Sequence, residues 1–317
     1  MVAKLASRET ARENAGLYVA SRPRRKNGKL TAMSKRKRRW DTAQLAAGSK
    51  RLIDRVPAWA AGEGALVAVF LVLAVAAAFV PRPQPLPDFG AIEQVAERKQ
   101  AFFEYMTPLV ETENGRIQKE RRQLLKIAGR LANDRQPSIL DRNRLAHLAV
   151  KYDLSWPVDD WSEALSTLLR RVDTVPAGLV LAQAAEESGW GRSRFARQGN
   201  NLFGHWCYAR GCGIVPAGRD TGAAHEVAAF DSVRDSVQRY LYNLNTHPAY
   251  RPFRQLRQAE RQAGHEPRAL VLAAGLGNYS QRGENYVADI RSIIRTNERL
   301  IDRAIKNSGQ DTEAISG

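Results

Sequence analysis

Two consecutive carboxylates, Glu186 and Glu187, stand where an apolar stretch gives way to the turn Ser188-Gly189-Trp190-Gly191. A carboxyl group in the last turn of a helix meets the negative end of the helix dipole, which disfavours its ionised form. Partial desolvation by neighbours such as Trp190 and Phe203 pushes the pKa the same way. A general acid working near neutral pH needs that shift, and a Gly-Trp-Gly turn beside it can line a sugar-sized cleft. The same pair could also be solvated charge capping a surface helix.

The helix that must position these groups is legible residue by residue. Thr174 is a candidate N-cap, with Pro176 in the first turn, where its missing N–H matters least. Leu179, Val180, Leu181, Ala182, Ala184 and Ala185 follow, all apolar. The helix is expected to stop at Ser188-Gly189, with Gly189 free to take the left-handed C′ conformation. A one-residue step on a helix rotates the side chain by roughly 100°, so only one of the two glutamates can face a cleft.

Farther along the chain, Glu226 taken by its surroundings alone reads as a solvent-facing strand residue. It lies in the alternating stretch 224–230, which reads as a strand, with 212–215 as its hairpin partner across the Gly-rich turn 218–222. Asp231 and Ser232, with Asp235 at capping-box spacing, then open a helix.

The segment AQAAEESGWGRSRFARQGNNLFGHW, 182–206, closely resembles the glucosaminidase domain of glycoside hydrolase family 73, also described as mannosyl-glycoprotein endo-beta-N-acetylglucosaminidase-like, and in particular its Bax-type branch. NLNTHPAYR at 243–251 is typical of the same branch. The resemblance covers roughly 172–300 and implies an α+β, mainly α, lysozyme-like fold with a small β-hairpin lobe. It also implies cleavage of the β-1,4 bond after N-acetylglucosamine in peptidoglycan. The glutamate immediately before the turn is the family's general acid, which maps the role onto Glu187, while Glu186 stands where the family usually has leucine. Asn201, Phe203 and Gly204 fall in the family's N-L-F-G motif, which shapes the cleft floor, and Trp190 joins them as a substrate-binding candidate. A glycosidase ordinarily needs a second carboxylate or a substitute for one, because the oxocarbenium-like transition state calls for negative charge or an activated water on the opposite face. The resemblance implies that Glu226, which matches the second glutamate of the family's β-lobe, fills that place. It could activate a water with inversion, or only orient the substrate while the N-acetyl group acts as nucleophile. Tyr279 in GLGNYS matches the family's tyrosine, able to hydrogen-bond the N-acetyl group or position water, although the ring could equally be core packing. Tyr286, with Ile290 and Ile293 at near-helical spacing, reads as packing. A lytic transglycosylase or a catalytically silent wall-binding scaffold are the competing readings.

Cys207 and Cys212 close a tight loop and could form a disulfide in an oxidising compartment, adding local rigidity more than global stability. Together with His205 and His225 they match no standard zinc spacing, so neither a metal nor another cofactor is expected.

The remainder of the chain suggests where this chemistry would operate. Residues 65–80 are an uninterrupted apolar run, about 24 Å as a helix, which reaches bilayer length when extended back to 57. Before Gly62 stand sixteen Lys and Arg against four acids, leaving +12 of the chain's net +16 in that segment. The positive-inside rule then keeps the N-terminus cytoplasmic. The expectation is an inner-membrane protein, single-pass, with its catalytic domain in the periplasm, facing glycan strands. An uncleaved anchor fits the long basic region better than a cleaved signal peptide, although a start at Met33 would shorten that region. The basic arm could touch lipid headgroups, while no nucleic-acid recognition motif accompanies it. In order, the reading is a basic, largely disordered arm (1–56), a transmembrane anchor (57–80), a Pro-rich linker (81–91), a helical region (92–171), the glucosaminidase domain (172–303) and a disordered tail (304–317). Within the helical region a long amphipathic helix from 92 to about 132 is expected, with Gly115 as a weak point and shorter helices following.

Overall fold

The computed structural model describes residues 69–71, 85–133, 136–219 and 222–316. The expected basic arm and anchor lie outside them, apart from a helical piece at 69–71. Among the described residues no helix is long and apolar enough to cross a membrane. From residue 85 onward the chain is mainly helical, with one small three-stranded antiparallel sheet.

A 39-residue helix, α1 (Val95–Asn133), forms the spine. It passes through Pro108 and Gly115 without interruption, because tertiary packing holds both halves. Phe102, Phe103, Met106 and Val110 enter the main core, and Leu124 and Ile127 enter a second cluster. Each such buried side chain contributes roughly 1.5–3 kcal/mol of transfer free energy, against about 1 kcal/mol for a helical glycine. The second cluster is completed by α2 (Ile139–Lys151) and α3 (Trp161–Arg171) through Leu145, Leu148, Tyr152 and Leu168. The helical region expected before the catalytic domain thus shares its spine with the main core.

Helix α4 (Ala177–Ser188) is buried along nearly its whole length. Its start differs from expectation. Pro176 is the cap, and the Thr174 hydroxyl accepts from Arg261 at 3.3 Å. The side chain of Asn114, from α1, grips both backbone groups of Val175, at 2.8 and 3.1 Å, and so fixes the chain just before the helix. The end is as expected, with Gly189 left-handed at φ 57°. Trp190 (φ 61°) and Gly191 (φ 75°) continue in the same region, an unusual run that includes one non-glycine residue. Gly191 must lack a side chain, since a Cβ would lie 2.5 Å from the Phe89 ring.

After α5 (Arg194–Gly199) come β1 (Trp206–Cys207), β2 (Gly213–Ile214) and β3 (Glu226–Ala228), in the order β1-β3-β2. The expected hairpin pairing of β2 with β3 is present, and β1 adds a further strand on the other side of β3. Two-residue strands leave no alternation to read. Helix α6 (Val233–Thr246) opens on the expected Ser232 cap, whose hydroxyl accepts from the Asp235 N–H at 3.2 Å. Then follow α7 (Arg251–Gln262), the short α8 (Ala269–Leu272), α9 (Glu284–Thr296) and α10 (Glu298–Ser316). Helix α10 runs through most of the segment expected as a disordered tail. Ile301 and Ala304 bury in the main core and anchor it, and α10 packs on α1.

Gly275 allows α7 to approach the turn that carries Tyr279. A Cβ there would fall 2.3 Å from the Phe253 Cα. Gly275→Ala is therefore expected to cost on the order of 3 kcal/mol, lowering Tm by roughly 6–12 °C. A thermal melt unchanged within about 2 °C would contradict this packing.

Candidate active site

The cleft that α4 opens into is a cavity of about 440 Å³. It is lined by Glu187 at the α4 exit, the Phe203-Gly204-His205 turn, residues of α6, the turn at His247–Tyr250 and residues of the β-lobe. Among the described residues, Glu187 is the only carboxylate lining it. Glu186 points elsewhere and pairs with Arg282 at 3.1 Å, an arginine shared with Asp289. The one-residue rotation thus separates the two glutamates as helical geometry demands.

Glu187 is half-buried, and desolvation pushes its carboxyl from the ordinary 4.5 up to about 7. The Tyr286 hydroxyl bonds to it and pulls the other way, the negative charge of Glu186 adds to the rise, and Arg282 opposes it. Burial, and after it the Glu187 charge, pushes up the phenols of Tyr240, Tyr250, Tyr279 and Tyr286, so that four tyrosines form a cage about the carboxyl. A chain of hydrogen bonds fixes the cage. The Tyr240 hydroxyl donates to Gln183 Oε1, Gln183 Nε2 donates to the Tyr286 oxygen at 2.8 Å, and Tyr286 in turn meets Glu187. Gln183 lies one helical turn before Glu187, on the same face of α4. A fully buried glutamine inside an apolar helix was the available signal for this network, while the spacing of Tyr286 read as packing.

The N-L-F-G residues divide between support and lining. Asn201 is buried and brackets the turn, donating to the carbonyls of His205 (2.9 Å) and Ala228 (2.8 Å) and accepting from the His205 N–H (3.1 Å). It ties the cleft floor to β3 rather than lining the cavity. Phe203 lines it, stacked on Tyr240 at 4.1 Å. Gly204 (φ 67°) brings the backbone so close that a Cβ would stand 3.6 Å from Glu187 Oε2. Tyr279 also lines the cavity, donating its hydroxyl to the Phe203 carbonyl at 2.9 Å and stacking on Tyr286 at 5.4 Å. Burial, with Arg239 nearby, pushes the His205 imidazole down to about 3, so it is neutral at pH 7 and supplies no cationic acid.

Two expected residues lie away from the cavity lining. The Trp190 ring packs edge-on against Phe102 and Phe103, at 5.7 and 5.3 Å, with the Lys99 ammonium 4.9 Å from its centroid. It locks α4 to α1. Glu226, on the central strand, is buried, and its carboxylate accepts from the Gly211 N–H (3.1 Å) and the Gly213 N–H (2.9 Å), which hold its pKa down. Those amides flank Cys212, which is bonded to Cys207. The two sulfurs and Glu226 come close together, but sulfurs joined in a disulfide are not thiolate ligands for a metal.

A family model described as mannosyl-glycoprotein endo-beta-N-acetylglucosaminidase matches residues 163–299. Protein bax of Escherichia coli is similar at 36% identity over 216 residues, 68% of this chain and 76% of the relative. The catalytic domain of the autolysin Auto from Listeria monocytogenes covers 67% of this chain and 91% of its own, at 18% identity and a TM-score of 0.35. The family match includes α4, the N-L-F-G turn and the β-lobe, and the 36% identity extends over a longer stretch than that match. The chain belongs to the glucosaminidase family, on its Bax-type branch.

Proposed function

We propose that this protein is a peptidoglycan hydrolase that cleaves the β-1,4 bond after N-acetylglucosamine, with Glu187 as general acid. The observation that carries the reading is one carboxyl, held neutral up to about pH 7, facing a cleft walled by aromatic rings. In the first step the Glu187 proton passes to the leaving glycosidic oxygen as the bond to the sugar C1 breaks. With Glu226 engaged by two backbone amides, the substrate's own N-acetyl carbonyl oxygen is the group that closes on C1 from the opposite face. Water then opens the resulting ring at C1, giving its proton back to Glu187. The Phe203 carbonyl and the Tyr279 phenol, already hydrogen-bonded, form a pre-set polar edge beside this path.

A single carboxylate in the cleft also suits a lytic transglycosylase, in which a hydroxyl of the substrate replaces water and leaves a 1,6-anhydro sugar. A wall-binding scaffold without activity would use the same cleft for adhesion alone. For location, the sixteen cations before Gly62 and the apolar run at 65–80 support an inner-membrane anchor with the catalytic domain in the periplasm.

Digestion of purified peptidoglycan is expected to yield saturated N-acetylglucosamine reducing ends by mass spectrometry. Glu187→Gln should lower the rate by roughly 10²–10⁴-fold. Anhydro ends would move the protein to the transglycosylases, and equal product from wild type and variant would remove Glu187 from the chemistry. Since the acid must be protonated, kcat/KM should fall on the alkaline side of about pH 7. A flat profile from pH 6 to 9 would contradict the assignment.

Stability responds with a definite sign. A carboxyl at about 7 in the fold and 4.5 when free keeps a proton that the unfolded chain has released, so its contribution is full below 4.5 and lost as pH rises to 7. Glu187→Gln removes that loss. Its stability relative to wild type should rise between pH 4.5 and 8 by on the order of 2 kcal/mol, allowing for partial solvent contact. A difference independent of pH across that window would show an ordinary carboxylate. For topology, a reporter enzyme that works only in the periplasm should be active when fused after residue 317 and silent when fused after residue 50. The reverse pattern would overturn the orientation.

A further inference from the structure

A second cavity, of about 190 Å³, lies along α7, where Arg254, Arg257, Gln258, Arg261 and Gln262 recur on one helical face and meet Arg121 of α1 and Arg170 of α3. One carboxylate, Asp173, lines it against five guanidinium groups. Asp173 is already shared, at 3.4 Å from Arg121, 3.7 Å from Arg257 and 3.1 Å from Arg261. Glu266, at the surface, pairs with Arg261 at 2.7 Å.

Hydrogen bonding is nearly satisfied, but charge is not. Arg257, 1% exposed, donates to the carbonyls of Arg170, Asp173 and Thr174 at 2.9–3.1 Å. Arg254, 7% exposed, donates to the carbonyls of Leu244 and His247, both at 2.9 Å, and among the described residues no carboxylate lies within ion-pair distance of it. Burial presses Arg254 down to about 10, and the cations Arg171, Arg257, Arg251 and Arg170 push the same way. Carbonyls accept hydrogen bonds but carry no net charge. A buried cation facing other cations is costly unless an anion completes the set. Arg170, bonded only to the Ser166 and Thr167 hydroxyls at 2.6 and 2.9 Å, also lacks an acid partner among the described residues.

We propose that this cavity binds a phosphate-class oxyanion, held chiefly by Arg254 and Arg170 with Gln258 at its edge. The planar, weakly hydrated guanidinium fork suits a tetrahedral oxyanion. At about 30 Å³ per water molecule, the cavity accommodates such an ion and a few waters. Free phosphate and a phospholipid headgroup present the same chemistry. The site is separate from hydrolysis, although Arg254 holds the carbonyls of Leu244 and His247, two residues that line the catalytic cleft.

The test is titration calorimetry on the full-length protein in neutral detergent, with inorganic phosphate and the soluble headgroup glycerophosphoglycerol in separate arms at matched chloride ionic strength. Saturable one-to-one binding is expected, weakened at least tenfold by Arg254→Gln and by Arg170→Gln. The half-exposed Arg170 variant should keep the wild-type melting temperature, which guards against a folding artefact. Tighter binding of glycerophosphoglycerol would identify a lipid headgroup as the ligand, and tighter phosphate binding the free ion. No saturable binding in either arm, or affinities unchanged in both variants, would overturn the proposal.

Discussion

The constraint on which the site depends is that α4 is buried almost to its last residue yet must end on a carboxyl group. Leu179 to Ala185 lie in the core, which fixes the backbone that carries Glu187. The chain then leaves through three left-handed residues, which turn it sharply enough to keep the carboxyl at the cleft wall. Packing of the Trp190 ring on Phe102 and Phe103 of α1 secures that exit. The long N-terminal spine is therefore part of what aims the acid. Hydrogen bonding through Gln183 and Tyr286 fixes the rest, at the cost of favouring ionisation somewhat. Burial outweighs it, which is why the carboxyl stays neutral well above its ordinary pKa.

The β-lobe obeys a different logic. Strands of two and three residues cannot hold themselves together by ladder hydrogen bonds alone. The Cys207–Cys212 disulfide ties the end of β1 to the start of β2, Asn201 ties the N-L-F-G turn to Ala228, and Glu226 staples the loop at Gly211 and Gly213 to the central strand. In this arrangement Glu226 is a buried acceptor for the Gly211 and Gly213 amides. Its depressed pKa follows from those bonds, and an ionised carboxylate is what they require.

What could be read from the sequence was local chemistry with an unambiguous signature. The glycine stop of α4, the serine cap of α6, the β2–β3 pairing and the position of Glu187 follow from turn residues, capping residues and a helical step of roughly 100°. Less legible were features set by partners distant in the chain. Pro176 caps α4 because Asn114, 61 residues away, fixes Val175. Gly115 does not break α1 because both halves of that helix are buried by other elements. By sequence Trp190 suits cleft lining and Tyr286 suits packing, whereas the structure places the first against α1 and the second on Glu187. Aromatic residues at helical spacing suit either role, and only the tertiary arrangement decides between them.

The central claim is that Glu187 is a neutral acid at working pH because it is buried within its tyrosine cage. Its carboxyl carbon can be followed directly by ¹³C NMR in protein labelled at glutamate side chains, with Glu187→Gln assigning the signal. The account predicts a titration midpoint near 7. It also predicts a further rise in Tyr286→Phe, since removing that hydroxyl removes a hydrogen bond that favours the carboxylate. A midpoint near the ordinary 4.5, indifferent to the tyrosine, would contradict it.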